Sequence, residues 1–285
     1  MAMSHKRIVF SGSNGIEIVA HIAGPDTGAT VLLAHGGGQT KRAWAKTLQQ
    51  LATAGYRAVA VDLRGHGESQ WAPDGAYETA HFAADLLCVA DQLRARPHLV
   101  GASLGGLSGL VAEGRLRPGS LASLTLVDIA PNVAPAGVER VVGFMQKHVE
   151  AGFASPEEAA EVIAAYTPNR AKRGASDGLK HYLRLGEDGR YRWHWDPAFI
   201  ASVQARRRRG DEREPGMDEA VASLRLPVHL VRGASSDLLT QEAADDFKKQ
   251  VPGLVYSDIA GAGHMVVGDR NDAFAGAILG FLDRQ

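Results

Sequence analysis

The sequence predicts an α/β fold in which an eight-stranded, mostly parallel sheet is flanked by helices. Short apolar runs rich in valine and isoleucine alternate with longer stretches of helical periodicity. This alternation is typical of parallel strands that are buried on both faces. The chain has 285 residues, of which 45% are hydrophobic and 22% charged. It is therefore long enough for one large α/β domain, or for one such domain with an inserted piece.

The first two predicted strands have no helix between them, and we expect them to form a hairpin that enters the sheet. In order, strands are predicted at residues 8–10, 16–22, 30–34, 57–61, 97–100, 124–128, 228–231 and 254–259. The accompanying helices are predicted at residues 42–54, 78–93, 104–114, 241–250 and 272–283.

The alternation of strands and helices stops after residue 131 and resumes only near residue 228. A gap of about 90 residues is too long for an ordinary loop, and it contains helical patterns at 137–151 and 156–165. We therefore expect a helical cap insertion at 132–217 over the carboxyl edge of the sheet, with a core domain made of 1–131 and 218–285. The insertion carries Trp193 and Trp195, which either line a substrate pocket or pack the insertion's own core.

Composition favours a small-molecule partner. The formal net charge is -1, so no general field attracts nucleic acid or anionic lipid. The lone Cys88 cannot form an intrachain disulfide, the amino terminus lacks the apolar segment of a secretory signal, and no run is long enough to span a bilayer. We expect a cytoplasmic monomer or homodimer that binds neither nucleic acid nor membranes.

A serine lies on a tight turn between a predicted strand and a predicted helix. The stretch reads Gly101-Ala102-Ser103-Leu104-Gly105-Gly106. Glycines two positions before and after the serine leave room for strained backbone and close packing. The serine oxygen is then exposed beside a helix N-terminus, whose unpaired N–H groups and positive dipole end favour an oxyanion. The stretch predicts a nucleophile, although the same pentapeptide also occurs at ordinary turns.

A serine nucleophile needs a base within hydrogen-bonding reach and a carboxylate that orients the base. Because ligands in open α/β sheets bind at the carboxyl ends of strands, both groups are expected there. His264, on a glycine-flanked loop after the last predicted strand, is the candidate base among eleven histidines. Asp237, after the penultimate strand, is the candidate acid. Taken separately, Asp237 could cap the next helix and His264 be a loop residue, but the order Ser, Asp, His favours a triad.

A glycine-rich stretch, His35-Gly36-Gly37-Gly38, follows the third predicted strand. Consecutive glycines let backbone N–H groups turn toward a ligand. A phosphate-binding loop is disfavoured because neither a Gly-Lys-Ser/Thr ending nor a Gly-x-Gly-x-x-Gly pattern is present. We predict an oxyanion hole formed by the N–H groups of Gly37 and Leu104, and a substrate pocket that includes Gly38, Trp193, Trp195 and Met265. No His/Cys cluster has metal-ligand spacing, so no metal or cofactor is expected.

Together these motifs resemble those of the α/β-hydrolase fold, in the family's order and over nearly the whole chain. The matching pieces are His35-Gly36-Gly37-Gly38, residues 62–69 (Asp-Leu-Arg-Gly-His-Gly-Glu-Ser), 101–106 and 233–237, and Gly263-His264. The 62–69 piece is similar to a turn in the branch that includes bacterial esterases, cofactor-free haloperoxidases (perhydrolases), lactonases, C–C bond hydrolases and epoxide hydrolases. In that family the turn is mainly structural, which makes His66 a turn residue.

The resemblance implies a serine hydrolase that acts on a small carboxylic ester or lactone through an acyl-enzyme. The same triad would also serve a cofactor-free perhydrolase or a C–C bond hydrolase, and an intact triad argues against a purely ligand-binding protein. Epoxide hydrolases and haloalkane dehalogenases of this fold attack with an aspartate, so Ser103 disfavours those reactions. Some relatives place the acid after an earlier strand, which makes Asp128 the alternative to Asp237.

Overall fold

The computed structural model describes residues 5–166, 179, 181–210, 214–264 and 271–285. The strands in chain order are β1 (Lys6–Ser11), β2 (Glu17–Ala23), β3 (Thr30–Ala34), β4 (Arg57–Val61), β5 (His98–Ala102), β6 (Ser123–Val127), β7 (Leu183–Leu185), β8 (Tyr191–Trp193), β9 (Val228–Gly233) and β10 (Val255–Ile259). Eight of them form one sheet in the order β1-β2-β4-β3-β5-β6-β9-β10. β2 pairs antiparallel with β1 and β4, and the other neighbours are parallel. The predicted eight-stranded, mostly parallel sheet is confirmed.

The helices follow the predicted pattern in the core of the chain. They are α1 (Ala45–Thr53), α2 (Thr79–Leu93), α3 (Leu104–Val111), α4 (Pro135–Gln146), α5 (Pro156–Tyr166), α6 (Pro197–Arg208), α7 (Met217–Ala222), α8 (Gln241–Gln250) and α9 (Asn271–Leu282). A 3₁₀ turn, Lys41–Trp44, precedes α1, and a π-helical turn, Ala112–Leu116, follows α3. Within the described ranges, no helix combines the length and hydropathy of a bilayer span.

The sheet is buried on both faces because successive side chains of each strand point to opposite sides. On β3, Leu32 packs in one apolar cluster with residues of α2, α3 and α8, whereas Val31 and Leu33 pack in another with residues of α1 and α9. All three side chains are inaccessible to solvent. This explains why the strands read as continuous apolar runs instead of alternating with polar residues.

The strand order brings four loops to one edge of the sheet. From β3 the chain moves outward to β4 and then returns to β5 on the other side of β3. Such a reversal opens a crevice at the carboxyl ends of the two strands, where ligands of open α/β sheets bind. Ala102 at the end of β5 pairs with Val127 at the end of β6, and Val127 pairs with Val231 of β9. The loops after β3, β5, β6 and β9 therefore adjoin one another.

The chain between β6 and β9, the intervening segment, is not purely helical. It contains α4, α5, the antiparallel hairpin β7–β8, α6 and α7. The hairpin strands have three residues each, too few to show a periodicity of two. Helix α4 ends at Gln146 instead of residue 151. Helix α6 lies outside the predicted helical stretches, although an aspartate followed by a proline is typical of a helix start. In the structure the Asp196 carboxylate accepts from the Ala198 N–H, and Pro197 is the first helical residue.

Candidate active site

Ser103 is the single residue between β5 and α3, and its backbone conformation is strained. Its φ and ψ are 44° and -111°, and it is half-buried at the edge of the sheet. A residue with a Cβ rarely adopts such a backbone, so the surrounding packing must enforce it. A Cβ on Gly101 would lie 2.5 Å from the Gly105 carbonyl, and a Cβ on Gly105 would overlap the Ala34 carbonyl oxygen. Both glycines of the sequence motif are thus required by close backbone packing around the serine.

The glycine-rich loop after β3 lies against this serine. A Cβ on Gly36 would lie 3.4 Å from the Cβ of Ser103, and Gly38 has a positive φ of 73°. The Gln39 N–H donates to the Gly36 carbonyl at 3.1 Å and closes a turn. Leu104 is the first residue of α3, where N–H groups have no acceptor within the helix. The two predicted oxyanion donors therefore belong to backbone segments that adjoin Ser103.

His264 is bound by Asp128, which follows β6 directly. The Nδ1 atom of His264 lies 2.7 Å from Oδ2 of Asp128, whose side chain is fully buried. The same carboxylate accepts from the Gly233 N–H at 3.0 Å and from the Ser236 hydroxyl at 2.5 Å. These bonds fix the carboxylate so that it can orient the imidazole.

This geometry corrects the expectation that Asp237 orients His264. The Asp237 carboxylate is 47% exposed and pairs with Arg140 of α4. The Ser236 N–H donates to the Gly233 carbonyl at 2.8 Å, and the resulting turn directs Ser236, not the next residue, at Asp128. The alternative acid is therefore the residue in contact with the imidazole.

Three apolar side chains of the intervening segment cover the glycine-rich loop. A Cβ on Gly37 would lie 3.6 Å from the Phe199 ring and 3.7 Å from Sδ of Met145. One on Gly38 would lie 3.1 Å from Cε of Met145 and 3.4 Å from the Trp195 ring. All three covering residues are at least nine-tenths buried. They form an apolar roof over the loop, which we call the Met145–Trp195–Phe199 roof.

The predicted pocket residues have different outcomes. Gly38 and Trp195 are in the contact just described. Trp193 stacks on Trp195, with ring centroids 4.8 Å apart. Its Nε1–H donates to the Lys147 carbonyl at 2.9 Å. Met265 lies outside the described residues. Met145 lies on α4 and Phe199 on α6. No sequence motif marks Met145 as a pocket residue, and periodicity does not reveal the helix that carries Phe199.

Two buried histidines of the core connect the loop to the 62–69 turn. Nε2 of His35 accepts from the Leu63 N–H at 3.0 Å, so its Nδ1–H donates to the Gly36 carbonyl at 2.8 Å. His66 lies 5.2 Å away, ring centroid to centroid, and its Nδ1 contacts the Arg64 carbonyl at 2.9 Å. Burial lowers the pKa of both imidazoles. Both rings are therefore neutral, and His66 lies in the turn as expected.

A metal site is not evident from the side chains. In the part of the chain that the structure covers, no three histidine, cysteine or acidic side chains are grouped to hold an ion. The buried imidazoles of His35, His66 and His194 contact backbone groups instead.

The sheet topology and the strained serine turn define the class of this protein, and sequence comparison agrees. The chain belongs to the alpha/beta hydrolase family, whose model matches residues 31–277. It is 30% identical over 259 residues to an esterase of Mycobacterium tuberculosis, a match that covers 89% of this chain and 82% of that protein. It is 26% identical over 250 residues to a 3-hydroxybutyrate-oligomer hydrolase of Cupriavidus necator, with 84% of each chain covered.

Similarity to solved structures supports the fold. The crystal structure of E-2-(acetamidomethylene)succinate hydrolase superposes with a TM-score of 0.82 at 24% identity, over 98% of this chain and all of that one (100%).

Proposed function

We propose that the protein is a serine hydrolase of small carboxylic esters, with Ser103 as nucleophile, His264 as general base and Asp128 as the acid of the triad. The observation that carries this proposal is the 2.7 Å bond between Nδ1 of His264 and buried Asp128. It occurs at the sheet edge where Ser103 has its strained backbone. The esterase and oligomer-hydrolase relatives support ester substrates.

In the proposed mechanism the Nδ1–H of His264 donates to the Asp128 carboxylate. The Nε2 lone pair is then available to take the proton of Ser103 as the serine oxygen attacks the ester carbonyl. The carboxylate then stabilises the imidazolium, which protonates the departing alcohol. Water, activated by the same base, attacks the acyl-enzyme and releases the acid.

The oxyanion is stabilised by backbone N–H groups. In the proposed mechanism Gly37 and Leu104 donate to the oxygen that becomes negative in each tetrahedral intermediate. Removal of one such donor typically costs about 3–4 kcal/mol in transition-state stabilisation, because the donors are already oriented before charge develops. Ser103 immediately precedes one of these donors, because Leu104 is the first residue of α3.

We propose that residues 132–217 act as a cap and select an uncharged, apolar acyl group. The Met145–Trp195–Phe199 roof, which adjoins the proposed oxyanion loop, comes entirely from this segment. A carbonyl bound at Gly37 places its substituents near this roof. Apolar surfaces of this kind favour alkyl or aryl groups over carboxylates or ammonium groups.

Replacement of Met145 by alanine is expected to shift the chain-length preference. Loss of the flexible thioether next to Gly37 and Gly38 enlarges the space over the loop. The ratio of kcat/KM for p-nitrophenyl octanoate to that for the butyrate should rise about fivefold or more, since each methylene in an apolar pocket contributes 1–3 kcal/mol. Met217→Ala is the matched control, since it removes a buried methionine on α7. An unchanged ratio in Met145→Ala would exclude this residue from the acyl pocket.

Covalent labelling tests the proposed function directly. A fluorophosphonate probe should modify Ser103 alone, as read by peptide mass spectrometry, and labelling should abolish p-nitrophenyl butyrate hydrolysis in proportion. Heat-denatured protein should not react, because the oxyanion donors and the base are then dispersed. Stoichiometric ligand binding with neither labelling nor turnover would instead establish a non-catalytic member of the family.

A further inference from the structure

A histidine of the intervening segment contacts the glycine-rich loop at Gly38. His194 follows β8 directly and is 2% exposed. Its Nδ1 lies 2.8 Å from the Gly67 nitrogen and its Nε2 lies 3.3 Å from the Gly38 carbonyl oxygen. A backbone N–H can only donate, so Nδ1 is the unprotonated nitrogen. Nε2 therefore carries the proton and donates it to Gly38.

This arrangement parallels that of His35 at the other end of the same loop. Each imidazole accepts an N–H from the 62–69 turn and donates to a loop carbonyl, that of Gly36 for His35 and that of Gly38 for His194. The two carbonyls lie on either side of Gly37. Burial lowers the pKa of His194 to about 3. Its donor and acceptor roles are therefore retained over the whole pH range in which a serine esterase works.

Holding these carbonyls determines where the Gly37 N–H points. In a trans peptide the C=O and N–H groups point in opposite directions, so a fixed Gly36 carbonyl fixes the Gly37 N–H. The peptide of the Gly38 carbonyl contains the Gln39 N–H, which itself donates to the Gly36 carbonyl at 3.1 Å. His194 thus acts on the same peptide plane through the closure of the turn.

The 62–69 turn is a rigid support for both histidines. Asp62 is fully buried, pairs with Lys41 at 2.5 Å and accepts from the Glu68 N–H at 2.9 Å. A Cβ on Gly67 would overlap this carboxylate. The intervening segment is tied to the turn beside His194, where the Asp196 N–H donates to the turn at 2.8 Å.

We propose that His194 is a positioning residue through which the cap holds the oxyanion loop in its catalytic conformation. This inference rests on the proposed serine hydrolase mechanism. In this proposal the 62–69 turn positions the oxyanion donors through the two histidines. An ordered oxyanion hole then requires that residues 194–196, which follow β8, dock on this turn.

Two substitutions of His194 separate its two hydrogen bonds. The amide oxygen of asparagine can replace Nδ1 as acceptor for Gly67 but leaves Gly38 without a donor. The amide nitrogen of glutamine can replace Nε2 as donor to Gly38. We expect His194→Asn to lower kcat for p-nitrophenyl butyrate roughly tenfold to a hundredfold, with KM within about threefold of wild type. His194→Gln should restore kcat to within about fivefold of wild type.

A transition-state analogue distinguishes positioning from a merely structural role. An alkyl boronic acid forms a tetrahedral adduct with the serine, so its Ki in His194→Asn should rise in proportion to the fall in kcat/KM. The apparent pKa values of the pH–rate profile should not change. His229→Asn is the matched control: it alters a buried histidine of β9 that bonds Ser257, and it should lower the melting temperature without changing kcat.

The outcomes are distinct. Wild-type kcat and boronate affinity in His194→Asn would overturn the inference. Equal losses of kcat in His194→Asn and His194→Gln, in proportion to the fall in their melting temperatures, would also overturn it. Failure of the wild-type protein to label at Ser103 would instead refute the proposed function itself, before either variant is measured.

Discussion

Ser103→Ala should reduce kcat for p-nitrophenyl butyrate on the order of 10⁴-fold or more, while substrate binding changes little. The substitution removes the oxygen that forms the acyl-enzyme in the proposed mechanism and leaves the proposed oxyanion donors and the apolar roof in place. The remaining rate would come from those donors acting on direct attack by water. Stopped-flow measurements on the wild type and steady-state assays with long observation times on the slow variant would give the ratio of the two kcat values. Full turnover by Ser103→Ala would refute the proposed nucleophile.

Stability measurements separate loss of the nucleophile from loss of the fold. Alanine retains a Cβ at φ 44°, so Ser103→Ala should unfold near the wild-type temperature, whereas Ser103→Gly relieves the strain and should be more stable by about 1 kcal/mol. Both variants should be inactive. Ser108→Ala is the matched control, since it removes another hydroxyl from α3, one that donates to the Leu104 carbonyl, and it should remain active.

Asp128→Asn should lower kcat by roughly 10³ to 10⁴, whereas Asp237→Asn should remain within about twofold of wild type. An asparagine amide at Asp128 can donate to Nδ1 of His264 and favours the tautomer in which Nε2 is protonated. That tautomer cannot accept the proton of Ser103. Asp237 pairs with exposed Arg140 in a solvent-screened contact, so its charge contributes little.

Steady-state kinetics and thermal unfolding of both aspartate variants test this contrast. Asp128→Asn also loses the charge that accepts from Gly233 and Ser236, so some loss of stability is expected. The loss of kcat should nevertheless persist at temperatures far below unfolding. A greater loss in Asp237→Asn than in Asp128→Asn would restore Asp237 as the acid.

The positions of the strands and the serine turn were predictable because their causes are local. All eight sheet strands overlap the predicted runs, and glycines at 101 and 105 are recognisable before the packing that requires them is known. His264 could be selected because it follows the last strand on a glycine-flanked loop. The hairpin β7–β8 could not be predicted, because three-residue strands have too little pattern.

The order of residues in the sequence was insufficient to identify the carboxylate that contacts His264. Asp128 and Asp237 both follow strands, and both precede His264 in the chain. The choice depends on which carboxylate faces the imidazole. This follows from the pairing of β6 between β5 and β9 and from the turn that directs Ser236 at Asp128. Neither the strand order nor the direction of a side chain after a turn is contained in residue spacing.

By itself, the sequence determined the α/β class, the strained serine between strand and helix, and the glycine-rich loop, because each depends on residues adjacent in the chain. The tertiary structure decided that Asp128 contacts His264, that Met145, Trp195 and Phe199 cover the loop, and that His194 bonds the Gly38 carbonyl. These contacts join residues far apart in the chain. They exist only because the sheet order and the docking of the intervening segment bring distant loops to one edge.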